Sequence, residues 1–127
     1  MTPLNSTTGL QVFQPIQLGP LKLPNRILMG SMHTGLEEAK DGFNALAQFY
    51  GERAKGGAGL IVTGGISPNR RGVLKPGGAK LTARHQIKKH RIITDAVHSN
   101  GGEICLQILH GGRYSYHPLN VAPSGIK

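Results

Sequence analysis

Apolar residues follow two different rhythms along this chain, and the changes of rhythm mark its elements. Between Phe13 and Arg26, two short alternating stretches flank Gly19-Pro20, the punctuation of a hairpin. "RILMGSM" (26–32) is a continuous apolar run that reads as a strand. From Gly42 onward, Phe43, Leu46, Ala47, Phe49 and Tyr50 recur at helical spacing, and Gly56-Gly57 end the segment. "AGLIVTGG" (58–65) is a second strand-like run. Ile87, Ile92, Ile93, Ala96 and Val97 predict a helix over about 84–99, stopped by Asn100-Gly101-Gly102. "EICLQILHGG" (103–112) predicts a third strand. Strand–helix–strand–helix–strand is the order of an α/β domain with a parallel sheet. Burial on both faces explains why the strands are apolar runs rather than alternations. Residues 1–12 lack either rhythm and are expected to be a flexible lead-in to the domain portion 13–127.

In a parallel α/β unit all strands end on one rim, where ligands bind. Three sequence-distant clusters fall there: Gly30-Ser31-Met32-His33, Gly64-Gly65, and Gln107 with His110. Glycines let a flat ligand approach the backbone. A Gln amide offers both donors and an acceptor, which suits a ring edge of alternating C=O and N–H. Gln107 is the sharpest of these signals, because an unpaired amide in an apolar strand costs about 1–3 kcal/mol. Each of the others has a structural explanation too. Met32 fits as a core filler, His33 and His110 as loop histidines, and Gly64-Gly65 as a turn.

Composition narrows the classes. The chain has 127 residues, 38% of them hydrophobic, with 19 glycines. Trp is absent and Phe and Tyr number three each, which argues against a stacking platform for single-stranded nucleic acid. Cys105 is the lone cysteine, so no internal disulfide framework or cysteine metal cluster is expected, and it reads as an inert buried thiol. No basic-then-apolar leader opens the sequence and no apolar run nears the ~20 residues that span a bilayer. The chain therefore reads as cytoplasmic and soluble, with no membrane partner.

The formal charge of +9 is uneven: twelve basic and three acidic residues follow position 50, against three of each before it. Most of the excess lies in "NRRGVLKPGGAKLTARHQIKKHR" (69–91). A polyanion patch, a solvated face and the landing site of an anionic ligand all fit such a run. No helix-turn-helix, zinc-finger or RNP pattern accompanies it, so no specific nucleic acid is expected. Other motifs fail on spacing. Gly56–Gly59 precedes a strand, whereas a dinucleotide fingerprint follows one. "KPGGAKLT" lacks the order of a phosphate loop, and His85 and His90 are five apart, so no metal site is expected.

Taken together, "LGPLKLPNRILMGSMHTG", "LIVTGGISP", "HRIITDAVHSNGGEICLQILHGGRYSYHP" and "VAPS" resemble the flavin-dependent Old Yellow Enzyme family. The resemblance spans roughly 13–126 and is strongest toward 2,4-dienoyl-CoA reductases of the bacterial type, within the NADH:flavin oxidoreductase/NADH oxidase family. It implies the N-terminal part of a (βα)8 TIM barrel, namely a hairpin that plugs the bottom, about three parallel strands and two helices. FMN would sit at the C-terminal rim. Ser31, Met32 and His33 correspond to the first-strand flavin contacts, Gly65 to the second-strand contact, and Gln107 to the side chain that reads the flavin's pyrimidine edge.

The resemblance also implies NAD(P)H as reductant and an enoyl compound as substrate. An iron–sulfur cluster and FAD belong only to the longest relatives. A complete barrel takes about 250 residues, and the family's proton-donating Tyr, its His, its phosphate-binding Arg and its cluster cysteines come later than this segment. Tyr114 and Tyr116 do not correspond to that Tyr, so no catalytic residue is assigned, and the chain by itself is expected to be inactive. The alternative reading is a truncated, non-catalytic basic protein that binds polyanions or nothing.

Overall fold

The computed structural model describes residues 9–125. Of the lead-in expected over 1–12, residues 1–8 lie outside the described residues. Gln11–Phe13 form a single 3-10 turn, and the Val12 carbonyl accepts from Arg26 N at 2.8 Å. β1 (Ile16–Leu18) and β2 (Leu21–Leu23) then pair antiparallel, with Leu18 opposite Leu21. Gly19, at φ 57, supplies the positive φ that a two-residue hairpin turn needs.

Five further elements alternate. β3 (Leu28–Met29), α1 (Gly42–Lys55), β4 (Leu60–Ile66), α2 (Ile87–Ser99) and β5 (Glu103–Ile108) form a parallel sheet of order β3-β4-β5 with connecting helices. Leu28 pairs with Leu60, and Leu60 with Glu103. The expected α/β architecture is present: a hairpin, three parallel strands and two helices, the opening part of a (βα)8 barrel.

Several boundaries differ from the sequence reading, three of them for a visible local reason. The first strand stops at Met29 rather than running on to Met32. Beyond it, Thr34 N and Thr34 Oγ1 donate to the two carboxylate oxygens of Glu37 and draw the chain off the sheet. The third strand stops at Ile108 rather than 112, because Gly111 N turns away to the Gly72 carbonyl at 2.9 Å. The helix expected over 84–99 begins as a 3-10 turn, Arg84–Gln86. There the Gln86 Oε1 accepts from Thr82 N and Ala83 N, at 2.7 and 3.0 Å.

The core lies between the helices and one face of the sheet. Leu46, Ala47, Tyr50 and Ala54 of α1 meet Ile61 of β4 and Ile93 and Val97 of α2, with Met29 and Ile104 packed alongside. Tyr50, Ile61 and Val97 are fully buried, each large apolar side chain of this kind contributing about 1.5–3 kcal/mol. Burial on both faces holds for β4 but not for β5. Cys105, Leu106 and Ile108 are exposed, which corrects the reading of Cys105 as a buried thiol. The reason is position: β5 is an edge strand, and Cys105 alternates away from Ile104, which faces the helices. At the other end of the strands, Ile16, Leu18 and Leu23 of the hairpin face Leu28 and Leu60 across an apolar recess. No helix among the described residues is long and apolar enough to cross a membrane.

Candidate functional site

The rim is shaped by a bulge in β4. Val62 pairs with Cys105 and Gly65 with Gln107, so two residues, Thr63 and Gly64, stand against Leu106 alone. The bulge interrupts the ladder, and side chains take over its hydrogen bonds. Gln107 N donates to Thr63 Oγ1 at 3.1 Å, and Thr63 Oγ1 donates to the Gly64 carbonyl at 2.8 Å. Gly64 N donates to the buried Tyr50 hydroxyl at 2.9 Å. Burial pushes the Tyr50 phenol above its ordinary pKa. The Gly64 hydrogen bond opposes that rise and the nearby Glu37 carboxylate adds to it. Tyr50 therefore stays neutral over the ordinary pH range.

The bulge turns Gly65 and Gln107 toward one cleft of about 190 Å³. Ser31, Met32 and His33 line it from the segment after β3, so all five residues singled out from the sequence meet there. Ser31 Oγ donates to Gln107 Oε1 at 2.7 Å, across 76 positions of sequence. That bond orients the amide and leaves its NH2, which no described residue accepts from, for a ligand acceptor. Gly65 is required by space: a Cβ there would run into the Leu109 side chain. Met32 is exposed along the cleft instead of filling the core.

The other rim candidates have structural roles. Gly64 is buried, and a Cβ on it would meet the Glu37 carboxylate and the Met32 carbonyl. His110 shapes the third-strand loop, its Nδ1 accepting from Gly112 N at 3.0 Å.

Sequence reasoning missed the supports. Glu37 is buried and held by Thr34, a pairing foreshadowed by the three-residue spacing of "TGLE". Tyr50 sits on the buried stripe of α1, where a phenol needs a polar partner. Val73, Leu74 and Lys75 of the loop after β4 form the far wall of the cleft.

Charge gathers on one side of the mouth. His33 Nε2 lies 3.2 Å from Glu38 Oε1 and 3.5 Å from Lys75 Nζ, and His33 Nδ1 lies 3.8 Å from Glu37 Oε2. Ligand atoms of His33, Glu37 and Glu38 fall within 4.8 Å of one another, near enough to share a cation, although Thr34 already engages both oxygens of Glu37.

The model of the NADH:flavin oxidoreductase / NADH oxidase family matches residues 11–125. A metal reductase of Desulforamulus reducens is 40% identical over 119 residues, which are 91% of this chain and 18% of the relative. Morphinone reductase in complex with tetrahydroNAD superposes with a TM-score of 0.72 at 29% identity, over 84% of this chain and 29% of that one. The old yellow enzyme of Trypanosoma cruzi superposes with a TM-score of 0.71 at 31% identity, over 83% and 28%. The chain thus spans less than a third of each of these relatives. It belongs to the NADH:flavin oxidoreductase / NADH oxidase family, the family of the Old Yellow Enzymes.

Proposed function

We propose that this chain forms the ring-binding rim of an FMN-dependent oxidoreductase that takes reducing equivalents from NAD(P)H and delivers them to an activated C=C bond. The preferred substrate class is an enoyl or dienoyl thioester, as in 2,4-dienoyl-CoA reductases, arising in the oxidation of unsaturated fatty acids. The observation that carries the reading is the register pair Gly65–Gln107, with Ser31 fixing the amide, in one cleft with Met32 and His33.

The residues present suit a flavin ring. Gly65 adds no side chain of its own to the cleft, Leu109 taking the space a Cβ would fill, the Gln107 NH2 awaits a carbonyl, and Met32 gives a polarisable wall. FMN, when bound, supplies the hydride acceptor and donor. This chain's residues bind and orient the ring: Gln107 and Ser31 hold its polar edge, and Leu109 and Leu74 keep water from the cleft wall. No residue of the cleft is assigned to protonate the product. Tyr114 is not among the residues that line it, and Tyr116 opens on a separate groove. Morphinone reductase was solved with tetrahydroNAD, which supports a nicotinamide partner here. A consumer of NAD(P)H fits the cytoplasm, where that reductant is regenerated.

The test is Gln107→Leu in a protein that carries this segment within a complete barrel. The reading predicts weaker FMN retention, by roughly tenfold for one lost hydrogen bond of about 1 kcal/mol plus an unsatisfied flavin edge, together with a shifted flavin potential. Unchanged retention and potential would contradict it.

A further inference from the structure

A second groove, of about 360 Å³, adjoins the flavin cleft and shares Val73 and Lys75 with it. Its size falls within the ~300–1,000 Å³ of small-molecule sites. Arg70, Lys75 and Lys80 line it from the loop after β4, and Tyr116 and His117 from the segment after β5. The two loops are tied by backbone hydrogen bonds, Gly111 N to the Gly72 carbonyl at 2.9 Å and Tyr116 N to the Val73 carbonyl at 2.8 Å. Within the first loop, Asn69 Oδ1 accepts from Gly72 N at 2.9 Å and fixes the turn that bears Arg70. Ser67 N donates to the Ala79 carbonyl at 3.1 Å, beside Lys80. The backbone of the groove is thus held between two tied loops.

Its cations make no direct pair with a carboxylate of the described residues. Among the described residues the ion pairs are all made by histidines, and none joins a carboxylate to Arg70, Lys75 or Lys80. Cations gathered around one depression favour an anion there. His117 Nδ1 accepts from Leu119 N at 3.0 Å, which puts the ring proton on Nε2 as a further donor. Tyr116 stands 65% exposed beside them and offers a ring face to a base.

We propose that this groove binds the phosphorylated adenosine tail of a ligand whose reactive end lies in the flavin cleft. The proposal rests on the flavin reading, since it takes the cleft as the place of reaction. Two ligands of that reaction carry such a tail: a nicotinamide dinucleotide 2′-phosphate and a coenzyme A thioester with its 3′-phosphate. Both place a phosphate dianion next to adenine, the chemistry that Arg70, Lys80 and Tyr116 match.

The test uses a protein that carries this segment within a complete barrel, titrated calorimetrically with adenosine 2′,5′-bisphosphate, adenosine 3′,5′-bisphosphate and inorganic phosphate. One bisphosphate should bind at least about tenfold more tightly than inorganic phosphate, and which one it is names the ligand. Arg70→Gln with Lys80→Gln should remove that preference and raise the KM of the matching ligand with kcat little changed. Lys88→Gln with Arg91→Gln, which removes the same charge from α2 outside the groove, should leave binding as it was. Equal binding of all three probes, or an equal loss in both double variants, would overturn the proposal. Flavin absorbance of the same preparations reports the cofactor reading separately, so a colourless protein that still selects a bisphosphate contradicts only that reading.

Discussion

The Tyr50 hydroxyl, on a helix, accepts the backbone N–H of Gly64, in a strand bulge, at 2.9 Å. Through that bond the core of the domain sets the position of its rim, because the bulge brings Gly65 opposite Gln107. Tyr50→Phe keeps the ring packing and leaves a buried N–H without its acceptor, at a cost of about 1–3 kcal/mol. Denaturant unfolding should register that loss, and flavin should dissociate faster from the variant. The alkaline limb provides a second readout. With the folded pKa raised, the folded state holds its proton where the unfolded chain has released it. Stability therefore falls as pH rises above the ordinary phenol value of about 10. Tyr50→Phe should flatten that fall, and an unaltered alkaline limb would count against the assignment.

The fold and the rim that gathers the five candidate residues were legible in the sequence, and the supports were not, for physical reasons. Periodicity separates buried runs from amphipathic ones, so β4, α1 and α2 stand out from their apolar spacing. The strand ends were overextended because "MGSMH" and "HGG" continue an apolar or glycine-rich composition after the ladder has stopped. What stops it are side-chain bonds from Thr34 to Glu37 and a loop–loop bond from Gly111 to Gly72. Such partners are distant or depend on conformation, and no composition reveals them. Cys105 misled for a related reason: its neighbours are apolar, but its burial depends on what lies beside an edge strand.

His90 carries an acid-side prediction. Its ring meets Phe43 edge-on at 5.0 Å and its Nε2 lies 3.4 Å from the Lys80 carbonyl, bridging α2 to α1 and to the basic loop. Burial lowers its pKa, against a smaller opposing effect of that carbonyl. The folded protein then resists a proton that the unfolded chain accepts, so stability is lost as pH falls below about 6.5. His90→Gln should reduce the difference in unfolding free energy between pH 7.5 and pH 5.5. An identical difference in both proteins would show that the acid limb belongs to other groups.

Expressed by itself, the 127-residue chain should be colourless, self-associating and without ene-reductase activity. Ile108 is 70% exposed and Leu28 55%, on the two edge strands of the sheet, with their ladder groups open to another chain. Sedimentation velocity on the purified chain checks this. A monomeric yellow protein that unfolds cooperatively would contradict it.

Whether Gln107 holds the pyrimidine edge of a flavin is read out by NMR of a complete-barrel protein reconstituted with 15N-labelled FMN. The expected spectrum has a flavin N3–H protected from solvent exchange, with a nuclear Overhauser contact to the side-chain amide of Gln107 that disappears in Gln107→Leu. An N3–H that exchanges as in free flavin, or one whose contacts lead to other residues while Gln107 gives none, would contradict it.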